Sequence, residues 1–160
     1  MNIDEFIHEP HPFLADMCAA HLRLLANGAK QTSFAAGQHI FREGDHAHYF
    51  YLIESGKVVL QTHSGGHPLL IATLGAGEVL GWSWLFPPFC WHFDAWAEED
   101  TRVVVFETTR LRDHCEADTK FGYELMKRMA KVLMHRLQST RLKLAQSCKP
   151  DLHAALPTGS

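Results

Sequence analysis

The sequence contains no C-x-x-C pair, although it has four cysteines, which are scattered along the chain. This spacing argues against a disulfide scaffold and is typical of a reduced, cytoplasmic protein. No apolar run approaches the roughly 18 residues that a membrane span needs. The N-terminus also lacks the basic and then apolar order of a signal peptide. We therefore expect a cytoplasmic protein with no membrane partner.

Positive charge is scarce as well. The formal net charge is −3, so bulk electrostatics do not favour nucleic acid as a partner. No Lys or Arg occurs between Lys57 and Arg102. A site in that stretch would therefore have to bind an anion without a permanently charged side chain.

The stretch from Phe34 to Gln61 alternates short β-prone runs with turns that contain glycine. Short strands with frequent turns predict a small antiparallel roll or barrel. A hairpin is expected where Ser64-Gly65-Gly66 joins the runs 57–63 and 67–74, and the β-branched run Thr101 to Glu107 predicts a further strand. With 46% hydrophobic residues, the chain is expected to fold as one mainly β domain, a jelly-roll-like antiparallel β-roll with flanking helices.

Two helices are predicted outside the roll. A mostly apolar face predicts a short helix from Phe13 to Ala26, ended by Asn27-Gly28, and residues 1–10 before it are expected to be a loose arm. The domain is predicted to span residues 11–146 and to be followed by a flexible tail, residues 147–160. A long helix at about 120–146 carries a heptad seam, which consists of Met126, Ala130, Leu133, Leu137, Thr140 and Leu144.

The seam on this long helix predicts a homodimer, with two chains zipped along it. A second apolar stripe lies on a neighbouring face and consists of Phe121, Leu125, Met129 and Val132. The alternative is that both stripes pack within one chain. Residues 138–146 would be left exposed in a single chain, and this favours the dimer.

Motifs along nearly the whole chain resemble, in order, the cyclic-nucleotide-binding domain of the catabolite activator (Crp/Fnr regulator) superfamily. They are His11-Pro12-Phe13-Leu14, Ile40-Phe41-Arg42-Glu43-Gly44-Asp45, Tyr51-Leu52-Ile53, Ser55-Gly56-Lys57-Val58 and Gly77-Glu78-Val79. The resemblance implies a β-roll with a nucleotide site under a phosphate-binding cassette and a long dimerisation helix. It also implies a regulatory module rather than an enzyme.

The resemblance assigns particular residues to the ligand. Glu78 matches the carboxylate that binds the ribose, Gly77 allows the turn at the cassette, and Val79 to Phe86 would form a short helix. Thr140 matches the threonine that contacts the purine in the dimer. The family's transcription factors continue into a helix-turn-helix, which the residues after Gln146 do not resemble, so we expect a protein partner and no direct DNA binding.

The family's phosphate-binding arginine has no counterpart here. A buried phosphate needs a cation, and removing one partner of such a pair costs on the order of 2–5 kcal/mol. His92 could replace the arginine if it were protonated, whereas Asp94 would repel a phosphate or pair with His92. The sequence therefore predicts that nucleotide binding is weak, unconventional or lost.

The cassette is instead rich in rings, namely Trp82, Trp84, Phe86, Phe89, Trp91, Phe93 and Trp96. They are interpreted either as core residues that close the roll or as a pocket lined for a flatter, more apolar ligand. A ligand under the cassette would shift how these rings pack and how the dimer is presented to its partner. A ligand-free scaffold is a further alternative.

Two metal-based functions are open. Phe89-Cys90-Trp91-His92 resembles the ligand stretch of the superfamily's haem-based carbon monoxide sensor, so Cys90 and His92 could ligate haem. His46-Ala47-His48 resembles the first histidine pair of metal cupins, which would make the protein a metal-dependent enzyme. The glutamate that a cupin site needs about four residues later is absent, because Leu52 and Ile53 occupy that window.

Overall fold

The computed structural model describes residues 2–148. Within them the chain forms two compact units, of which the first is Met1–Glu124 and the second begins at Leu125. The first unit contains both sheets, and the second contains most of the last helix. The predicted tail, apart from Ser147 and Cys148, lies outside the described residues.

The helices lie at the two ends of the described chain. They are α1 (Ile3–His8), a single 3₁₀ turn (Pro12–Leu14), α2 (Ala19–Ala26), α3 (Thr108–Ala117) and α4 (Thr119–Ser147). No helix among the described residues is long and apolar enough to cross a membrane.

The strands form two four-stranded antiparallel sheets. They are β1 (Lys30–Phe34), β2 (His39–Phe41), β3 (Tyr49–Ser55), β4 (Lys57–Ser64), β5 (His67–Gly75), β6 (Val79–Leu80), β7 (Asp94–Ala97) and β8 (Thr101–Glu107). One sheet has the order β1-β8-β3-β6 and the other the order β2-β7-β4-β5. This arrangement confirms the predicted antiparallel β-roll with flanking helices.

The core is filled by residues of both sheets, and β3 and β4 each bury a run of consecutive residues. Leu52 and Ile53 of β3, Val58 of β4 and Val103 of β8 are fully buried. Burying each such side chain stabilises the fold by about 1.5–3 kcal/mol. The predicted hairpin is present, with Ser64 of β4 paired to His67 of β5.

The N-terminal part differs from the sequence expectation in two ways. Residues 1–10, expected as a loose arm, contain α1, because the Asn2 side chain accepts a hydrogen bond from the Asp4 amide and caps the first turn. Phe6 of α1 is buried and contacts Phe106 edge to face at 6.4 Å. The helix predicted from Phe13 begins only at Ala19, since Asp16 has a positive φ of 65° that interrupts it.

Helix α4 confirms the long helix predicted at about 120–146. It begins where the Asp118 side chain accepts hydrogen bonds from the backbone amides of Lys120 and Phe121, each at 3.1 Å. This is a typical N-terminal cap. Helix α3 was not predicted, and it leaves only Asp118 between the two helices.

Candidate functional site

The candidate site begins at the turn that joins β5 to β6. The Gly75 amide donates a hydrogen bond to the Glu78 carboxylate at 2.6 Å, and the Glu78 amide donates to the Gly75 carbonyl at 3.2 Å. Gly77 has a positive φ of 86°, which favours glycine here. Glu78 is exposed, so its second carboxylate oxygen remains accessible to a ligand hydroxyl.

The turn leads into a strand rather than a helix. Val79 and Leu80 pair with Leu52 and Tyr51 of β3, and both side chains are buried. The expectation of a short helix from Val79 to Phe86 is therefore wrong. The backbone of these residues is committed to the sheet, and no helix N-terminus forms there to bind a phosphate.

Three of the seven large rings in the cassette, residues 75–97, are core residues. Trp84 is fully buried and lies 5.7 Å from the Phe50 ring. Trp91 and Phe93 are also buried, and both contact Phe41. Of the two interpretations of these rings, the contacts of these three favour the one in which they close the roll.

Gly81 allows the cassette to pass directly over the Trp91 ring. A Cβ at this position would lie 2.5 Å from the Trp91 ring, and its φ of 104° is one that side-chain-bearing residues rarely adopt. This close contact between Gly81 and Trp91 holds the end of β6 against the later part of the cassette. Sequence reasoning singled out the rings but missed Gly81, because its role depends on a neighbour ten positions away.

The end of the cassette is bonded to the turn that contains His46 and His48. The Ala47 amide donates to the Phe89 carbonyl at 2.6 Å, and a β-bridge joins His46 to Cys90. The Cys90 thiol donates to the Pro88 carbonyl at 3.4 Å. The two histidine rings lie 4.4 Å apart between centroids.

His92 does not pair with Asp94. Its exposed ring stacks on the half-buried Trp82, with centroids 5.6 Å apart. The buried Asp94 instead accepts a hydrogen bond from the Glu43 amide at 2.7 Å and lies 3.6 Å from a His63 ring nitrogen. His92 is thus accessible to an anion, and Asp94 is engaged elsewhere.

Arg112 of α3 is a cation that the sequence analysis missed. Its guanidinium donates to the Trp84 carbonyl at 2.9 Å and lies 4.3 Å above the Phe89 ring. This contact brings a positive charge to the cassette from outside the stretch that lacks one. No local signal identifies it, since the two residues are 28 positions apart.

Two polar atoms in the cassette are buried without a hydrogen-bond partner among the described residues. They are the Ser83 hydroxyl oxygen and the Trp84 ring nitrogen. An unsatisfied buried polar group costs about 1–3 kcal/mol.

Thr140 belongs to the second unit. It is exposed on α4, and its hydroxyl donates to the Arg136 carbonyl at 2.8 Å. The hydroxyl oxygen keeps acceptor capacity for a further partner.

A cavity of about 450 Å³ lies in the first unit next to the β5–β6 turn. It is lined by α1 and the 3₁₀ turn, by Ile53 and Glu54, and by Gly77. Among the predicted site residues only Gly77 lines this cavity. The predicted site and the cavity therefore meet at Gly77.

The structure also shows which potential metal ligands surround the two histidine- and cysteine-containing pairs. Among residues 2–148, neither the pair His46 and His48 nor the pair Cys90 and His92 forms part of a group of three His, Cys, Asp or Glu ligand atoms within 4.8 Å of one another. The cupin alternative needs such a group. No contact of the described residues favours haem ligation by Cys90 and His92.

A roll of two antiparallel sheets, a glycine–glutamate turn and a long C-terminal helix define a cyclic-nucleotide-binding fold. The model of the family described as the cyclic nucleotide-binding domain matches residues 31–118, more than half of the chain. The chain belongs to this family.

Several known proteins are similar to this chain. The cyclic AMP receptor protein of Thermus thermophilus is 39% identical over 72 residues, which cover 44% of this chain and 33% of that relative. The match thus spans about a third of the length of the curated relative. The catabolite activator protein of Thermus thermophilus is 27% identical with a TM-score of 0.67, covering 84% of this chain and 62% of that one.

A cyclic nucleotide-binding domain from Methylobacillus flagellatus has the same fold. Its TM-score is 0.81 at 18% identity, covering 93% of this chain and 88% of that chain. The family match and these relatives confirm the resemblance to the cyclic-nucleotide-binding domain of the Crp/Fnr superfamily.

Proposed function

We propose that this domain is a ligand-sensing module in which cyclic nucleotide binding is weak, unconventional or lost, and that it signals as a homodimer to a protein partner. The observation that carries the proposal is the absence of Lys and Arg between Lys57 and Arg102, which includes the whole cassette. A phosphate buried there would lack the cation that its desolvation requires. No catalytic residue is assigned.

The contacts of the cassette support this proposal in two further ways. Arg112 reaches the cassette, but its guanidinium is used by the Trp84 carbonyl and the Phe89 ring. Residues 79–80 form a strand, so their amides do not point at a ligand from a helix N-terminus. His92 is the exposed group that could still face an anion.

A ligand is proposed to bind beside the β5–β6 turn, where the Glu78 side chain is exposed. Glu78 is proposed to bind a hydroxyl of the same ligand, and Gly77 and Val79 to shape the turn beside it.

The homodimer is proposed from the apolar seam on α4. Within the second unit, Met126, Leu137 and Leu144 are 36%, 62% and 62% exposed. Their spacing matches a heptad seam, which two copies of the same helix can bury together. Thr140 lies on this seam and is proposed to contact a ligand held by the other chain.

The net charge of −3 does not favour nucleic acid, so a protein is proposed as the downstream partner.

Calorimetric titration with cyclic AMP, and in parallel with cyclic GMP, tests the proposal. We expect no heat of binding from the wild-type protein below millimolar ligand. His92→Arg supplies a permanent charge and is expected to strengthen binding by at least about tenfold, if it recovers part of a contact worth roughly 2–5 kcal/mol.

His92→Gln serves as the control that changes the ring without adding charge. Micromolar binding by the wild-type protein that His92→Gln does not weaken would contradict the proposal. It would mean that the cassette binds the cyclic phosphate without a cation.

A further inference from the structure

We propose that Cys18, His21 and Glu124 form a binding site for one divalent transition-metal ion, with Zn²⁺ as the best match. One ligand atom from each residue lies within 4.8 Å of the other two. In the part of the chain that the structure describes, this is the one group of three or more His, Cys, Asp or Glu side chains that meets this distance. The site lies apart from the cassette residues and is independent of the function proposed for them.

The three residues lie at the start of α2 and in the first residues of α4, all of them within the first unit. Cys18 is the N-cap residue of α2, and His21 follows three positions later, which places both on one side of the helix. Glu124 lies on the second turn of α4 and is 103 positions away from His21 in the sequence. The arrangement is therefore a product of the tertiary fold.

The His21 ring is held in a defined orientation. Its Nδ1 lies 2.6 Å from a Glu124 carboxylate oxygen, and its Nε2 lies 3.7 Å from Asp118. The ring also contacts the Phe121 ring edge to face. Metal-bound histidines commonly direct their second nitrogen at a carboxylate, and the Asp118 carboxylate is the acidic group near Nε2, at 3.7 Å.

Asp118 is itself fixed. Its other carboxylate oxygen accepts the backbone hydrogen bonds that cap α4. The His21 imidazole thus lies between the Glu124 carboxylate, at 2.6 Å, and the Asp118 carboxylate, at 3.7 Å. This geometry is an observation separate from the clustering of the three ligand atoms.

Little movement is needed to admit an ion. Tetrahedral bonds of about 2.0–2.1 Å place an imidazole nitrogen and a carboxylate oxygen about 3.3 Å apart. The His21–Glu124 pair, at 2.6 Å, would have to separate by less than one ångström. Metal ligation requires a deprotonated thiol and an unprotonated ligating nitrogen, so ion binding at such a site depends on pH.

The thiolate, imidazole and carboxylate ligands together determine which class of metal ion the site prefers. Thiolate and imidazole favour zinc and similar ions over magnesium or calcium, and a carboxylate completes a common zinc ligand set. Cys18 is exposed and makes no capping hydrogen bond, so its sulfur can turn to an ion. A bound ion would tie the start of α2 to the start of α4.

Cobalt(II) tests the thiolate ligand directly. Chelator-treated full-length protein is titrated with Co²⁺, and thiolate ligation gives a sulfur-to-cobalt charge-transfer absorption in the near ultraviolet. We expect this band, at one equivalent, in the wild-type protein and in Cys148→Ser, which removes another exposed thiol. It should be absent in Cys18→Ser. A missing band in the wild-type protein, or equal bands in the two variants, would overturn the proposal.

Competition for Zn²⁺ against a chromophoric chelator tests the other ligands. His21→Gln and Glu124→Gln should each weaken zinc binding by at least about tenfold. Glu116→Gln, a change of an exposed carboxylate on α3, should leave the affinity unchanged. Equal zinc affinities of all these variants would overturn the proposed site. Circular dichroism verifies that each variant is folded.

Discussion

The indole ring of Trp91 lies parallel to the phenyl ring of Phe41, with centroids 3.7 Å apart and planes within 6° of each other. Both rings are buried. Phe41 belongs to β2, so the stack holds the far end of the cassette on the sheet. Such a pair contributes about 0.5–1.5 kcal/mol beyond the apolar area that it buries.

The first prediction concerns Gly81, which lies against the outer edge of this stack. Gly81→Ala should lower the free energy of unfolding by about 2–4 kcal/mol, because the new methyl group would overlap the Trp91 ring and the φ of 104° is unfavourable for alanine. Urea denaturation measures the change.

Gly37→Ala is the matched control, since its φ is 87° but nothing lies within 4 Å of a Cβ there. It should cost only the backbone strain, about 1 kcal/mol. Equal losses in the two variants would show that Trp91 does not restrict Gly81.

The second prediction concerns Arg112. Arg112→Met should lower the free energy of unfolding by about 1–3 kcal/mol, because the Trp84 carbonyl loses a charged donor and the Phe89 ring loses its cation. Tryptophan fluorescence should also become more accessible to a neutral quencher. Arg110→Met, an exposed change on the same helix, should alter neither quantity.

The third prediction concerns the homodimer. Leu137→Glu should convert a dimer into a monomer at micromolar concentration, because it places a charge in the apolar seam of α4. Sedimentation velocity measures the mass. Gln138→Glu adds the same charge one position away, off the seam, and should leave the dimer intact. A monomeric wild-type protein would refute the dimer.

The fourth prediction concerns pH and His11. The His11 Nε2 donates to the Ile53 carbonyl at 2.8 Å, and Nδ1 accepts from the Phe13 amide at 3.1 Å. Burial lowers the pKa of His11 below its usual 6.5, although the Ile53 bond and the Glu54 charge oppose the shift. Protonation of Nδ1 would also break the bond from Phe13.

The unfolded chain binds a proton at this imidazole more readily than the folded chain does. The contribution of His11 to the free energy of unfolding is therefore fully present at pH values above the unfolded pKa. It falls as the pH decreases through about 6.5 towards the lowered folded value. The advantage of wild type over His11→Gln in urea unfolding should therefore shrink between about pH 7 and pH 5. The difference in free energy of unfolding between wild type and His67→Gln, which changes an exposed residue, should stay constant over this range. A constant difference for His11→Gln would contradict the assignment.

Local sequence signals predicted much of the roll. The Ser64-Gly65-Gly66 turn and the β-branched run at residues 101–107 correspond to the observed hairpin and to β8. The apolar repeat on α4 predicted its length to within one residue at either end. These elements are determined by turn chemistry and periodicity, which are visible in a short window.

Long-range contacts explain what the sequence did not predict. The strand at Val79–Leu80 is set by pairing with β3, and short apolar runs do not distinguish a strand from a helix. Arg112 and Gly81 act on residues far along the chain, so no local pattern marks them. The proposed roles of Glu78, His92 and Thr140 come from resemblance and remain predictions.

A cassette closed by stacked rings should respond differently to ionic strength from one closed on a phosphate. Added electrolyte shortens the screening length to about 3 Å at 1 M and weakens an arginine–phosphate pair at the surface. The contact between Trp91 and Phe41 carries no net charge and is not screened. The Trp91–Phe41 contact should therefore persist at ionic strengths that would loosen a charge-based closure.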